Sequence, residues 1–350
     1  MCIRDRRIFV KNTIVLAIFS VLQLSAISAY SLIIAIPQVT GTEPLAPEGI
    51  EKHWVGTLFD NFTAAADALQ WSDIRVISNW RIQQHAQSKE YRILDSADHA
   101  IVEGTLEDCN AHFSALMKKG GIAPVEKEAV IILHGLGEGR SAMKPLVTFL
   151  EENMTASILT FGYASPQAPL ASHAHSLGRV LAGLPPTTAI SFVGHSMGNL
   201  VVRRWLQDAQ PKMVRRINRM VMLGPPNQGS DLARLAANNH LLRNLASGAA
   251  RELVLHWDSI SRELQTPPFQ YGIIAGGKGD NVGYSLLLEG DDDAIVRVSE
   301  TQLQGSDDFL VIPVRHSLMM ENTDVQKETL RFLLQGRFAK KSFHSSLSEK

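Results

Sequence analysis

The chain is expected to fold as an α/β protein, with a mostly parallel central sheet, helices on both faces, a helical cap insertion, and an N-terminal transmembrane helix ahead of it. Three observations carry this expectation. From residue 129 onward, short and continuously apolar runs alternate with helix-like stretches, the pattern of buried parallel strands covered on both faces. Residues 225–267 repeat leucine and alanine at helical spacing. Residues 13–36 contain no charge.

With 350 residues, 45% hydrophobic and 20% charged, the chain can bury a full core. Its 34 Lys and Arg against 35 Asp and Glu leave a formal charge of -1, so no global field draws it to nucleic acid. Cys2 and Cys109 are too few for a disulfide framework or a thiolate metal site.

Residues 1–12 form a basic cytoplasmic segment, of which 1–6 (MCIRDR) back-translate to bases resembling a transposon end used in sequencing libraries. Arg7 and Lys11 remain as a positive flank. As a helix, residues 13–36 would extend about 36 Å, enough to cross a bilayer, and the flank keeps the N-terminus inside. The catalytic part would then lie outside the cytoplasm. A cleaved signal peptide is the competing reading, with small residues Ala26, Ser28 and Ala29 near a cut and a secreted or periplasmic product.

Residues 37–79 read as linker and lead-in, and residues 80–126 as a small hairpin plus helix, the strands being WRIQQH and EYRIL. The main domain spans 127–338. Its strands are read from AVIIL, SILTF, AISFV, RMVMLG, YGIIAG and FLVIPV, with helices near 141–152, 171–184 and 197–208. Residues 225–267 pack over the sheet's end or cap a pocket, and 339–350 are a polar tail.

Gly194-His195-Ser196-Met197-Gly198 matches G-x-S-x-G between an apolar strand and a helix, the context that motif requires. Glycines there let the chain turn sharply and push the Ser196 hydroxyl out at the carboxyl edge of the sheet. The Met197 N–H, at the start of a helix, is the expected first donor to a developing oxyanion. His134-Gly135-Leu136-Gly137 follows an earlier strand on the same edge, and the Leu136 N–H is the expected second donor.

A serine hydroxyl needs a base. His316 follows the last strand-like run and comes after the serine in chain order, whereas His134 and His195 sit inside turns that they shape. His173, His175, His240 and His256 fall in helical stretches. A carboxylate should orient the base, and Asp291, Asp292 and Asp293 occupy the interval between serine and histidine. Asp293 abuts the apolar AIV and is preferred, with Asp292 next and Asp280 and Asp307 behind.

At these residues the chain resembles the α/β-hydrolase superfamily, and within it bacterial lipases, esterases and inositol-deacylase-like lipases, over about residues 127–338. HGLGEG is similar to the oxyanion loop, GHSMGN to the nucleophile elbow, GPPNQGSDLA to the segment after the next strand, and VRHSLMM to the histidine loop. DDDAIVRVSE resembles an Asp-Gly-x-Val segment with Asp293 as the acid and Ala294 where the family has glycine. The resemblance implies hydrolysis of an ester, lipid-like or otherwise, through an acyl-enzyme without metal or organic cofactor. An acyltransferase, thioesterase or lysophospholipase would use the same machinery, and a non-catalytic membrane-anchored scaffold could retain the fold.

Overall fold

The apolar runs after residue 128 pair into one parallel sheet of six strands. A computed structural model describes residues 67–237 and 247–339. The basic segment, the expected membrane span, most of the linker, the middle of the 225–267 insertion and nearly all of the tail lie outside the described residues. Among the described residues no helix is long and apolar enough to cross a membrane.

In chain order the large sheet comprises β5 (Glu128–Leu133), β6 (Ser157–Phe161), β7 (Ala189–His195), β8 (Ile217–Leu223), β9 (Gln270–Gly277) and β10 (Asp308–Pro313). Its spatial order is β10-β9-β8-β7-β5-β6, and each neighbouring pair is parallel. Alternate residues of each strand enter different cores. Ile131 and Leu133 of β5 face the cluster that holds Leu177 and Leu181 of one helix (Leu170–Gly183) and Val201 and Trp205 of another (Met197–Asp208). Val130 and Ile132 face the opposite cluster, with Leu146 and Leu150 of a helix at Lys144–Asn153 and Phe332 and Leu333 of the helix Thr323–Gln335. Burial on both faces explains why these strands read as unbroken apolar runs and not as alternation.

The chain runs from β5 outward to β6 over one face, then crosses the other face to β7 on β5's far side. The helices that follow β5 and β7 therefore lie on opposite faces of the sheet, and the crevice where the chain parts at the carboxyl edge is where ligands bind in open parallel sheets.

A second sheet precedes the first. It is antiparallel, in the order β1 (Trp71–Ile77), β2 (Trp80–His85), β3 (Tyr91–Leu94), β4 (Ala100–Gly104), and is covered by a helix at Leu106–Lys118 through Cys109 and Phe113. Thr105 and Asp108 close a capping box at that helix's start. Four strands stand where the sequence pattern shows two, since β1 falls in the stretch read as lead-in. The reason is a buried polar group: Asp73 in β1 is fully buried and accepts from Arg81 Nη1 at 2.7 Å, Gln83 Nε2 at 2.8 Å and the Gly162 N–H at 2.7 Å. Satisfied in this way, a carboxylate can sit inside where apolar periodicity expects none. The same bonds tie the small sheet to the end of β6.

Candidate active site

Ser196 ends β7 and starts the next helix with φ 51° and ψ -121°, a backbone state that costs a side-chain-bearing residue energy and recurs at functional turns. Close packing demands the flanking glycines. A Cβ on Gly194 would lie 2.9 Å from the Asn199 nitrogen, and one on Gly198 would lie 2.8 Å from the carbonyl oxygens of Leu133 and His134. The Ser196 N–H donates to the Leu223 carbonyl at 2.9 Å, and Asn199 Nδ2 donates to the Ser196 carbonyl at 3.0 Å.

After β5 the turn His134-Gly135-Leu136-Gly137 runs beside the elbow, close enough that a Cβ on Gly135 would be 3.2 Å from the Ser196 Cβ. Gly137 adopts φ 71° and its N–H donates to Ser165 Oγ at 2.9 Å. Among the described residues the Leu136 N–H has no hydrogen-bond acceptor, and Met197 opens its helix, so its N–H has no intrahelical partner. Both residues line one cavity with Ser196.

His316 reaches that cavity from the loop after β10. Its Nδ1–H donates to Asp293 Oδ2 at 2.6 Å, and its own N–H donates to the Asp293 carbonyl at 2.8 Å. Asp293 is fully buried, and its other oxygen accepts the N–H groups of Ile295 at 3.0 Å and Val296 at 2.7 Å. A carboxylate so held fixes the imidazole's tautomer, with Nε2 left as the basic nitrogen. The other acids are occupied elsewhere. Asp292 Oδ1 accepts from the backbones of Tyr284, Ser285 and Ala294, Asp291 from Lys278 and Gly279, Asp280 from Val282 and Gly283, and Asp307 from Tyr271. Ala294 takes φ 85°, the conformation for which the resembling segment uses glycine.

His134, in the turn after β5, and His173, in the helix Leu170–Gly183, are buried and neutral. Burial pulls His134 down to about 4 and His173 down to about 3. His134 Nδ1 donates to the Gly135 carbonyl at 2.9 Å, and its ring stacks on Tyr163 at 4.1 Å between centroids. His175 and His256 are exposed helix-terminal or helical side chains, and His240 lies outside the described residues.

Three residues have contacts at the site that the sequence motifs containing them do not assign. Gly224, at φ 52°, leaves room for the histidine and acid: a Cβ there would meet His316 Nδ1 at 3.0 Å and Asp293 Oδ2 at 3.2 Å. Glu138 Oε2 accepts the Gly135 N–H at 2.7 Å and lies 3.0 Å from His195 Nδ1. His195 Nε2 in turn meets the His316 carbonyl at 3.2 Å. Gly224 ends an apolar run and opens the GPPNQGSDLA segment, neither of which reveals its contact with His316 and Asp293, while the Glu138–His195 pair joins positions that no short-range motif connects.

The cavity encloses about 380 Å³. Its apolar wall comes largely from the 225–267 insertion, through Leu232, Leu253, Val254 and Trp257, with Leu287 and Ile295 opposite. Leu232 lies on the helix Asp231–Ala237, and Leu253 and Val254 on the helix Gly248–Leu255. Among the described residues no cluster of histidine, cysteine or acidic side chains has metal-binding geometry.

Sheet order, serine elbow and the crevice beside it define an α/β-hydrolase fold. A Bacillus licheniformis lipase in its propeptide form superposes with TM-score 0.50 at 18% identity, the match covering 59% of this chain and 51% of that one. The mature form of that lipase matches with TM-score 0.48 at 20% identity over 61% of this chain and 94% of that one. A metagenomic carboxyl esterase matches with TM-score 0.40 at 18% identity over 55% of this chain and 66% of that one. At such identities the likeness is one of fold. No protein-family model matches the chain, and no curated protein matches it in sequence.

Proposed function

We propose that the protein is a serine hydrolase that cleaves carboxylic esters with an apolar acyl part. The observation that carries the reading is a strained Ser196 sharing one apolar-walled cavity with His316, whose Nδ1 is held at 2.6 Å by the buried Asp293. Ser196 Oγ attacks the acyl carbonyl as His316 Nε2 takes its proton, and Asp293 stabilises the imidazolium. The N–H groups of Leu136 and Met197 receive the oxyanion. As the intermediate collapses, the C–O bond to the leaving alcohol breaks and His316 returns the proton to that alcohol. Water, deprotonated by His316, then releases the acid from the acyl-enzyme. The lipase fold that superposes on this chain supports the reading by analogy. It is tested by covalent labelling with a fluorophosphonate, which should be lost in Ser196→Ala.

We further place the chain in a membrane through residues 13–36, with the hydrolase outside the cytoplasm, because the uncharged run follows Arg7 and Lys11. Full-length protein should stay in the membrane pellet after an alkaline carbonate wash. Release into the supernatant would favour a cleaved signal.

A further inference from the structure

Glu138 and His195 make a second imidazole–carboxylate pair behind the proposed catalytic one. It joins three segments that must keep fixed distances for acyl chemistry: the turn carrying Leu136, the elbow carrying Ser196, and the loop carrying His316. Glu138 Oε2 holds the Gly135 N–H at 2.7 Å and His195 Nδ1 at 3.0 Å, while His195 Nε2 holds the His316 carbonyl at 3.2 Å. The His195 side chain is 2% exposed and that of Glu138 is 22% exposed.

The atoms facing His195 decide its protonation. Its Nε2 meets a carbonyl, which can only accept, so that nitrogen carries hydrogen. Its Nδ1 meets a carboxylate oxygen that already accepts an N–H from Gly135, so that nitrogen carries hydrogen as well. With Glu138 ionised, both contacts are satisfied only by an imidazolium.

We infer that the Glu138–His195 ion pair is a positioning brace for the proposed hydrolase, locking the oxyanion turn and the histidine loop onto the serine elbow. This rests on the hydrolase reading. Burial disfavours charge on both groups, but each compensates the other: Glu138 is held below the usual carboxylate range and His195 is raised. The other titratable groups facing the pair are His134 and Tyr163 beside Glu138, and Asp293 and His316 beside His195. A histidine raised by its partner supplies its interaction at low pH and loses it as pH rises through the raised value. The brace therefore places an alkaline limb on kcat.

Glu138→Gln should move that limb to lower pH. Glu138 Oε2 makes both contacts, so a glutamine oxygen in its place can accept from Gly135 and from His195 Nδ1–H but carries no charge to hold the second proton on His195, and the link to the His316 carbonyl is lost at lower pH. Glu138→Ala cuts the brace at every pH, and kcat should fall about tenfold or more with little change in KM, as expected when reacting groups lose alignment. The experiment is kcat against pH for a short-chain nitrophenyl ester, using full-length wild type, Glu138→Gln and Glu138→Ala in detergent. It is joined by 15N NMR of the His195 ring in wild type, which needs no variant. Two protonated ring nitrogens at neutral pH, an alkaline limb moved to lower pH in the glutamine variant and a depressed kcat in the alanine variant would support the brace. Superimposable profiles for all three proteins, or a wild-type His195 carrying a single ring hydrogen, would overturn it. A folded wild type that neither turns over ester nor reacts with a fluorophosphonate, yet keeps a doubly protonated His195, would refute the hydrolase reading while supporting the pair.

Discussion

Ala294 sits at φ 85° directly after the two buried carboxylates Asp292 and Asp293, in the turn whose N–H groups at 295 and 296 hold Asp293. Left-handed backbone costs a residue with a Cβ about 1–2 kcal/mol, and glycine escapes that cost. Glycine also gives the unfolded chain more freedom, which opposes the gain by about 0.4–1 kcal/mol. Ala294→Gly should therefore stabilise the protein by about 0.5–1 kcal/mol, a rise in Tm of roughly 1–3 °C for a domain of this size. Ala294→Val should destabilise it, because a β-branched side chain fits this conformation worst. Urea unfolding followed by circular dichroism reads both effects, with the midpoint moving and the slope unchanged. The glycine variant should retain its ester hydrolysis. A midpoint lowered by glycine would refute the argument that this turn stores backbone strain.

Two other perturbations separate the roles of neighbouring groups. Asp293→Asn should cut kcat by about 10⁴, since the amide favours the wrong imidazole tautomer, whereas Asp292→Asn keeps the Oδ1 acceptor and should leave kcat near wild type. Steady-state kinetics on the two variants checks this. His134 and His173, held at about 4 and about 3 against 6.5 when unfolded, bind protons mainly in the unfolded state below pH 6.5. Their contribution is intact above pH 6.5 and is lost toward pH 4 with a slope approaching about 2.7 kcal/mol per pH unit. His173→Leu should make denaturation midpoints less acid-sensitive.

Legibility in the sequence followed burial. The six strands of the large sheet are evident because both of their faces are covered, leaving runs such as AVIIL and AISFV without polar interruption. β1 was hidden by Asp73 and Arg75, one of them buried through bonds to Arg81 and Gln83 that only the folded chain supplies. β4 was hidden for the opposite reason: it is a short edge strand, largely exposed, with little to bury. Ser196 was readable since a sharp strand-to-helix turn needs glycines at fixed spacing. Asp293 emerged from three adjacent acids partly through its apolar neighbours, and its contact with His316 distinguishes it from Asp292. The Glu138–His195 pair was not readable, because it depends on the close approach of the β5 and β7 loops.

The central claim is that Ser196 is an activated nucleophile. Full-length wild type, Ser196→Ala and His316→Ala, each shown to be folded, should be exposed to a fluorophosphonate that modifies only activated serines. The account predicts labelling of the wild type at Ser196, none in the Ser196 variant and almost none in the His316 variant. Equal labelling of all three proteins, or none of a folded wild type, would contradict it.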